Sequence, residues 1–547
     1  MTRAITMKSR QTRLSFLLGV LMVASLPFNA SAAPNSDSQM NQTREEMERQ
    51  RIERQIEEDQ RRNQENIEDK TKEGDNSQSQ RETLKFTLND VTTDDSVVIT
   101  PKVLKEIAGR YIGSEVSFED IQQLVEDINK YYSDLGLLTC RAYLKPQKIE
   151  GGVLHISLNE AINGKVDFKG NRSTAVKYIK RRLRLQEGKL QNFKHLDEDI
   201  TRFNGTNDAN LRIAIKPGIE PNTTDYEIVV VEPQRATTNV FVDNFGQTST
   251  GTWREGLSFN YASLTGIRDN FNIGYNHAIG SNSFNVGYEV PVSRWGTRLR
   301  FDYSTNGTEH KSGQFKNLIT GHSNYYSVSL THPLSVSMNG RAEWSLVLNS
   351  QSSASTFKDS GTFSDNRSDT ADLSFTQINY KPAAVIYQKH TYEVGNAHNK
   401  IDEVHRPFGL YKFYGFIRKS LPHGHSLYTR ASAQLSSRKN LASADTFSIG
   451  GYYSVRGYKT QYFDGDNGLD WTLEYAFPLV KCLNGFAFFD YGKIAHENSL
   501  MSTGLGLSFR PIDNLSSTLV FGFPLKRYFE YDEVSKMRIG LLCNGSF

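Results

Sequence analysis

FNIGYNHAIGSNSFNVGY (271–288) contains two short runs in which large apolar side chains alternate with small or polar ones. In an extended strand, Phe271, Ile273 and Tyr275 fall on one face, and FNVGY (284–288) repeats the pattern. In a soluble β-sandwich such an apolar face would pack on a second sheet. Here turn signals also recur about every twenty residues, as in the strand-and-turn units of membrane barrels. The stretch therefore favours strands with one face toward lipid and the other toward water.

The same alternation continues from about residue 235 to the last residue, Phe547. LRFDY (299–303) and TGLGLSF (503–509) each place large apolar residues on one face and small or polar residues on the other. A region of this length gives roughly sixteen strands, and a barrel of that width encloses a water-filled lumen. We predict a transmembrane antiparallel β-barrel over residues 235–547, with its final strand ending at a rim.

The start of the chain has the order of a secretory signal peptide. Lys8, Arg10 and Arg13 are followed by an apolar run (14–26) and by a small-residue cleavage site at Ala30-Ser31-Ala32. We therefore expect the first 32 residues to be removed on export. The mean hydropathy of −0.53 and the lack of a later run of about 18–20 apolar residues exclude a helical membrane protein. A net charge of +3 gives no indication of nucleic-acid binding.

Three cysteines, Cys140, Cys482 and Cys543, are too few and too scattered for a disulfide framework. No Cys/His spacing resembles a zinc site, and the HExxH, GxSxG and GxxxxGK motifs are absent. The sequence thus predicts no catalytic residue, no metal and no cofactor, and we do not expect an enzyme.

Residues 33–82 form a densely charged segment that includes TREEMERQRIERQIEEDQRRNQENIEDK (43–70). Thr43 and Glu46 have the spacing of a capping box and predict a helix that begins there. Such a helix is polar on all sides and needs aqueous surroundings. Two interpretations remain open: a solvated helix or disordered linker, and a polar rod inside a water-filled lumen.

Residues 83–234 run twice through a β-α-α-β-β order, giving one small α+β unit over 83–163 and a second over 164–234. Each unit is able to bury one face of a sheet under two helices. The second unit is predicted to contain a helix over Thr174–Leu185. Val153–Asn159 and Tyr226–Glu232 are candidate edge strands for binding an extended peptide.

The loop over residues 436–468 is far longer than a hairpin requires, and such loops are usually functional or disordered. Its centre, GGYYSVRGYKT (450–460), surrounds Arg456 with glycines and tyrosines. Glycine lets the backbone turn tightly and pack close to a wall. Tyr453 or Tyr458 is expected to stack on the guanidinium of Arg456.

Alternation on the two strands after this loop directs Glu474, Phe488 and Asp490 into the lumen. Arg456 is expected to form an ion pair with Asp490, with Glu474 as a second acceptor, because a guanidinium bonds carboxylates bidentately. The alternative is an exposed Arg456 on an external loop, where an ion pair would contribute about 0–1 kcal/mol.

The double β-α-α-β-β unit resembles POTRA domains, and the F-x-D of Phe488 and Asp490 completes a signature of the POTRA-plus-barrel superfamily. The loop part of that signature is VRGY: Val455, Arg456, Gly457 and Tyr458. YLKPQKIEGGVLHISL (143–158) and TFSIGGYYSVRGY (446–458) make the chain most similar to two-partner secretion transporters, which export haemolysins and filamentous adhesins.

The resemblance implies an outer-membrane translocator whose POTRA domains lie in the periplasm. It implies that Arg456 pairs with Asp490, that a plug helix near residues 41–66 occupies the lumen, and that Phe547 belongs to a C-terminal assembly signal. The implied partners are a secreted exoprotein that is unfolded in transit, outer-membrane lipid, the barrel assembly machinery and periplasmic chaperones. The main alternative is a barrel-assembly factor; a passive porin and a surface enzyme carried on a barrel are less consistent with these features.

Overall fold

The computed structural model describes residues 36–65, 85–313, 315–496, 499–529 and 532–547. The predicted signal peptide and the segment between the charged helix and the first α+β unit lie outside the described residues. Within these ranges, no helix has both the length and the apolar character required to cross a bilayer.

The charged segment forms one helix, α1 (Ser36–Glu65), which is about 45 Å long at 1.5 Å per residue. The predicted start at a Thr43 capping box is wrong. Thr43 lies inside the helix, and its hydroxyl donates to the carbonyl oxygen of Gln39 at 2.9 Å. A threonine within a helix can bond to the carbonyl one turn earlier, so its side chain alone does not mark an end.

The first α+β unit packs two helices on a three-stranded sheet. β5 is the central strand, with β2 parallel on one side and β4 antiparallel on the other. Leu124, Ile128 and Tyr132 are fully buried between helix and sheet. The elements of this unit are β1 (Phe86–Thr87), β2 (Asp90–Thr93), α2 (Pro101–Ala108), β3 (Glu115–Val116), α3 (Phe118–Asp134), β4 (Cys140–Tyr143) and β5 (Val153–Glu160).

The second unit repeats this arrangement with a shorter first helix. The predicted helix over Thr174–Leu185 ends at Lys180, because the chain turns and the amide of Arg184 donates to the Asp199 carboxylate at 2.7 Å. The elements of this unit are β6 (Ile162–Lys169), α4 (Val176–Lys180), α5 (Phe193–Thr206), β7 (Asn210–Pro217) and β8 (Thr223–Val231).

Both candidate edge strands are wrong. Val153–Asn159 lies in β5 and Tyr226–Glu232 overlaps β8, and each of these strands is hydrogen-bonded on both sides. The edges are β2 and β4 in the first unit, and β6 and β7 in the second. The last strand of each unit is central because it pairs in parallel with the strand that precedes the two helices, β2 in the first unit and β6 in the second.

The predicted barrel is confirmed: sixteen antiparallel strands form a closed sheet, in which the last strand pairs with the first. Phe547 completes this closure, because its N–H and C=O both bond to Thr238 at 2.8 Å. The first eight strands are β9 (Ala236–Asp243), β10 (Arg254–Ala262), β11 (Asn270–Ala278), β12 (Ser281–Pro291), β13 (Arg298–Glu309), β14 (Ile319–Ser337), β15 (Gly340–Phe357) and β16 (Gly361–Lys381).

The two ends of the barrel differ. The near rim adjoins the α+β units and carries short turns, whereas the far rim carries the long loops. The remaining barrel strands are β17 (Ala384–Asn399), β18 (Val404–Ser420), β19 (Ser426–Ser436), β22 (Gly468–Val480), β23 (Leu483–Ile494), β24 (Ser499–Ile512), β25 (Leu515–Pro524) and β28 (Arg538–Ser546). Two hairpins lie outside the barrel sheet: β20 (Phe447–Ile449) with β21 (Phe463–Gly465), and β26 (Tyr528–Phe529) with β27 (Asp532–Glu533).

The second α+β unit contacts the near rim through polar side chains. Arg268, in the turn between β10 and β11, forms an ion pair with Asp208 and donates to the Ser173 hydroxyl at 3.1 Å. Arg298 and Arg341 extend from the barrel wall to carbonyl oxygens at the end of α5, at 3.3 and 3.0 Å. Cationic donors suit the negative end of a helix. These contacts fix the unit beneath one side of the barrel.

Candidate functional site

The loop over residues 436–468 folds against the inside of the barrel wall. β20 and β21 form its base, and the segment between them reaches strands β23, β24 and β25. Gly457 has φ of +99° and lies against Gly522 so closely that a Cβ on Gly522 would be 2.7 Å from the Gly457 nitrogen. A side chain at either position would push the loop away from the wall.

Arg456 is held by two carboxylates. Its Nε and one terminal nitrogen donate to the two oxygens of Asp490 at 2.8 and 2.9 Å, and its other terminal nitrogen donates to Glu474 at 2.8 Å. Its backbone N–H donates to Asp490 at 3.0 Å. Arg456 is 7% exposed and Asp490 is 0% exposed. The structure therefore brings together the three charged residues that the sequence selected.

The ring that stacks on this guanidinium is Phe488, whose centroid is 3.6 Å from the guanidinium carbon. The expectation that Tyr453 or Tyr458 would stack there is wrong. The Tyr458 hydroxyl instead lies 3.0 Å from the carbonyl oxygen of Met501 and 2.8 Å from that of Lys526. These two hydrogen bonds hold the Tyr458 side chain toward the far rim.

Val455 and Tyr458 fix the loop by burial. Both are fully buried in an apolar cluster that includes Ile449, Ile494 and Leu500. Burying side chains of this size typically contributes about 1.5–3 kcal/mol each. The VRGY segment thus combines two apolar anchors, one bidentate ion pair and one glycine in close contact with the wall.

A second arginine that the sequence did not single out also holds the loop. Arg430 forms an ion pair with Asp470 at 3.0 Å and donates to the backbone carbonyl oxygen of Tyr453. Asp470 lies on the same face of β22 as Glu474, so a cation on the facing strand β19 was the available signal. The hydrogen bond from Arg430 to the Tyr453 carbonyl oxygen depends on how the loop folds, so no sequence pattern predicts it.

Helix α1 lies inside the barrel and touches the same loop. Arg49 donates to the Tyr453 carbonyl oxygen at 2.8 Å, and Gln50 donates to the Tyr453 hydroxyl at 3.3 Å. Near the far rim Asn41 donates to the carbonyl oxygen of Ala444. Of the two interpretations of the charged segment, the rod inside the lumen is the one observed.

Most contacts between α1 and the wall are polar. At the far-rim end of the barrel Glu46 contacts Arg254 (2.9 Å), and at the near-rim end Asp59 contacts Tyr380 (2.8 Å). Between them lie the pairs Glu48–Lys389 (2.6 Å), Arg51–Glu289 (2.8 Å) and Glu57–Arg418 (3.7 Å). The apolar contacts centre on Ile56, which packs among Ile378, Val385, Tyr387 and Phe416.

One carboxylate links the helix to the near rim. Glu289 pairs with Arg51 of α1 at 2.8 Å and with Arg298 of the wall at 3.4 Å. Arg298 also pairs with Glu343 at 3.4 Å and donates to the carbonyl oxygen of Thr206 at the end of α5. A continuous series of charged contacts therefore runs from the helix in the lumen to the second α+β unit.

Among the residues that the structure describes, no group of three His, Cys, Asp or Glu side chains is placed to hold a metal ion. Burial raises the pKa of Cys140, in the first α+β unit, to about 11, so this thiol is neutral and unreactive near pH 7.

Comparison with known proteins identifies the two regions. The family profile described as haemolysin secretion/activation protein ShlB/FhaC/HecB matches residues 222–509, and the profile of the ShlB-type POTRA domain matches residues 86–161. Outer membrane transporter CdiB of Dickeya dadantii (strain 3937) is 23% identical over 449 residues, covering 77% of this chain and 78% of the relative. Heme/hemopexin transporter protein HuxB of Haemophilus influenzae (strain 86-028NP) is 23% identical over 484 residues, covering 81% of this chain and 85% of the relative.

The solved structure of CdiB from Escherichia coli aligns with a TM-score of 0.67 at 19% identity, covering 95% of this chain and all of that one. It shows the same fold of POTRA domains joined to a barrel. Because the family profile spans more than half of the sequence, this outer-membrane chain belongs to the haemolysin secretion/activation protein family of ShlB, FhaC and HecB.

Proposed function

We propose that this chain exports one large, β-rich exoprotein from the periplasm to the cell surface by two-partner secretion. The observation that carries the proposal is a wide barrel whose lumen contains a helix held mainly through polar contacts. The cargo is a haemolysin, an adhesin or a contact-dependent toxin, and it passes in an unfolded state. The proposal includes no catalytic step and no cofactor.

The contacts of α1 suit a plug that leaves. Arg51, Glu48 and Glu57 keep side-chain exposures of 52%, 54% and 47%, so water already reaches these pairs. Exposed ion pairs contribute about 0–1 kcal/mol each. These three exposed pairs therefore sum to at most a few kcal/mol, which the binding of a long polypeptide in the lumen is able to replace. The Glu46–Arg254 pair is buried, at 8% and 11% side-chain exposure, but Arg254 retains Asp243 as a partner when the helix leaves.

The loop suits a fixed part of the wall. Removing one partner from a buried ion pair typically costs about 3–5 kcal/mol, because an uncompensated charge remains. Arg456 and Asp490 are such a pair, and Val455 and Tyr458 add apolar burial. The cargo would thus pass along a lumen lined by an anchored loop after the helix has moved.

Capture of cargo is assigned to an edge of the second POTRA domain. β7 (Asn210–Pro217) is an eight-residue edge strand; the Asn204 side chain bonds the N–H and C=O of Leu211 near its start, so the open edge lies toward Pro217. Ile215 on this strand is 51% exposed, and Ile219 in the following turn is 92% exposed. An extended cargo segment would add a strand to β7 by backbone pairing, with these side chains as apolar contacts.

Transit needs no nucleotide, because folding of the cargo outside the cell makes the movement effectively one-way. For its own assembly, the chain is expected to use periplasmic chaperones and the barrel assembly machinery. Phe547 is the residue assigned to the assembly signal. The pairing of its backbone with Thr238 places it at the barrel seam, where an assembly factor would act last.

Deletion of the encoding gene tests the proposal, with quantitative proteomics of the culture supernatant and the outer membrane. Loss of a single large exoprotein, restored by the wild-type gene but not by Arg456→Ala, is the expected result. The second candidate function, barrel assembly, predicts a broad loss of outer-membrane barrels instead. An unchanged supernatant would contradict the export function.

A further inference from the structure

The second POTRA domain carries a cationic face. Residues 172–182 (RSTAVKYIKRR) contain five Lys or Arg residues and no carboxylate. Lys177, Lys180 and Arg181 are exposed, whereas Tyr178 and Ile179 between them are buried in the core of the domain. We call the exposed Lys177, Lys180 and Arg181 the cationic face of α4.

Both ends of this segment contact turns of the near rim. The amide of Ala175 donates to the Gly266 carbonyl oxygen at 2.8 Å, in the turn between β10 and β11. Arg182 donates to the Ser293 carbonyl oxygen at 2.8 Å, in the turn between β12 and β13. Short α4 therefore lies directly beneath two barrel turns, at the level where the wall leaves the membrane.

Arg182 itself is held by neutral groups, although the Glu232 carboxylate accepts hydrogen bonds from Ser173 and Thr174 at the start of the same segment. Its guanidinium donates to the carbonyl oxygens of Ser293 and Tyr178 and lies 3.5 Å from the centroid of the Tyr178 ring. Burial, with a smaller contribution from the neighbouring Arg181, lowers the pKa of Arg182 below its ordinary value. An external anion near this side chain would relieve both effects.

The adjoining turns have the composition of a membrane interface. Trp295 is 43% exposed, and the guanidinium carbon of Arg294 lies 4.4 Å from its ring centroid; Arg202, at 4.6 Å, is already paired with Asp199 at 3.9 Å. Leu264 and Val292, in the same two turns, are 53% and 52% exposed. Tryptophan is enriched at the level of lipid headgroups, and nearby cations attract anionic lipids.

We propose that the cationic face of α4, together with Arg182, Arg294 and Trp295, binds the headgroups of anionic phospholipids in the inner leaflet. The phosphate would provide a negative partner for Lys177, Lys180 and Arg181, while Trp295 and the exposed apolar turn residues contact the upper acyl chains. Such binding would hold the second POTRA domain against the membrane, in addition to its contacts with the barrel.

The test measures local lipid composition by fluorescence quenching. The full chain is reconstituted with Trp295 as its single tryptophan, the other three (Trp253, Trp344 and Trp471) being replaced by phenylalanine. Bilayers contain phosphatidylcholine and phosphatidylglycerol in fixed ratio, with bromine on the chains of one lipid or the other. The ratio of the two quenching curves gives the preference of this site for the anionic lipid.

We expect phosphatidylglycerol to be preferred on the order of a hundredfold at low salt, since each of the three cations on this face contributes about fivefold. The variant Lys177→Gln/Lys180→Gln/Arg181→Gln should reduce the preference to about twofold or less. High salt should reduce it similarly, because the Debye length falls to about 3 Å at 1 M.

A matched control removes the same charge elsewhere on the near rim. Lys381, Lys419 and Lys481 are exposed at the near-rim ends of other strands, and their replacement by glutamine should leave the preference at Trp295 unchanged. Equal quenching by both brominated lipids in the parent protein would overturn the proposal. An equal loss in the control and the α4 variant would overturn it too, since the attraction would then be general. Heat-modifiable migration on gels checks that each variant is folded.

Discussion

Replacing Arg456 by lysine keeps the charge at the loop tip but removes the planar fork. The guanidinium makes three side-chain hydrogen bonds, two to Asp490 and one to Glu474, all at 2.8–2.9 Å. A single ammonium on a flexible stem is able to keep about one of them. Hydrogen bonds to charged groups contribute about 1.5–3 kcal/mol each, so losing two should lower the free energy of loop opening by about 3–6 kcal/mol.

Hydrogen exchange measures this change directly. The amide of Arg456 donates to Asp490 at 3.0 Å, so its protection depends on the loop staying in place. A loss of 3–6 kcal/mol corresponds to exchange faster by about two to four orders of magnitude for a peptide over residues 450–460. The detergent-solubilised full chain is compared with Arg456→Lys after increasing times in deuterated buffer.

Arg438→Lys is the matched control, because Arg438 lies in the same loop but is exposed, and its guanidinium donates to the Pro407 carbonyl oxygen at 3.2 Å. Its exchange at residues 450–460 should match the wild type. Asp490→Asn completes a double-mutant cycle with Arg456→Lys, and the two changes should be strongly non-additive. If Arg456→Lys exchanges within about threefold of the wild type while the barrel stays folded, the ion pair does not hold the loop.

Three further outcomes follow from the same structure. Deleting residues 36–65 should raise single-channel conductance in planar bilayers, and an unchanged conductance would argue against a plug. Glu289→Gln should shift the equilibrium of the plug toward its open state by no more than about fivefold, because the partner of Glu289 in the plug, Arg51, is 52% exposed. A complete loss of plugging would mean that this contact is far stronger than its exposure implies. Because burial raises the pKa of Cys140 from 9.0 to about 11, the stability that this thiol contributes should be intact below pH 9 and lost as the pH rises to 11. A water-soluble maleimide at pH 7 should accordingly leave Cys140 unlabelled until the chain is unfolded, and rapid labelling of the native protein would refute this.

The sequence predicted the barrel and the Arg456 pairing partners because both depend on a local rule. In a strand, alternation alone decides which side chains face the lumen, so Asp490 and Glu474 could be assigned without knowing any long-range contact. The edge strands of the POTRA domains were predicted wrongly for the opposite reason. Which strand is central depends on pairing between β2 and β5, and between β6 and β8, across two helices that carry no pairing signal.

The docking of α1 was equally beyond the sequence. The helix is polar around its whole circumference, so it has no apolar stripe that would indicate a contact face. Single ion pairs with different strands hold the helix: Glu48 pairs with Lys389 on β17, and Glu57 pairs with Arg418 on β18. Each such pair depends on the position of the helix in the lumen, which only the folded barrel defines.

The arrangement of wall charges explains how a plug could leave without destabilising the barrel. Arg254 bonds Glu46 of the plug, but it also holds Asp243 of the wall through two hydrogen bonds of 2.9 Å. Glu289 bonds Arg51 of the plug and keeps Arg298 of the wall. Once the helix departs, each of these two wall groups retains a partner of opposite charge, while the plug's own charges enter water. The cost of leaving an uncompensated buried charge, about 3–5 kcal/mol, is therefore avoided at both positions, whereas it would arise at once if Arg456 left Asp490. These contacts therefore support the proposal that α1 moves while the loop stays in place.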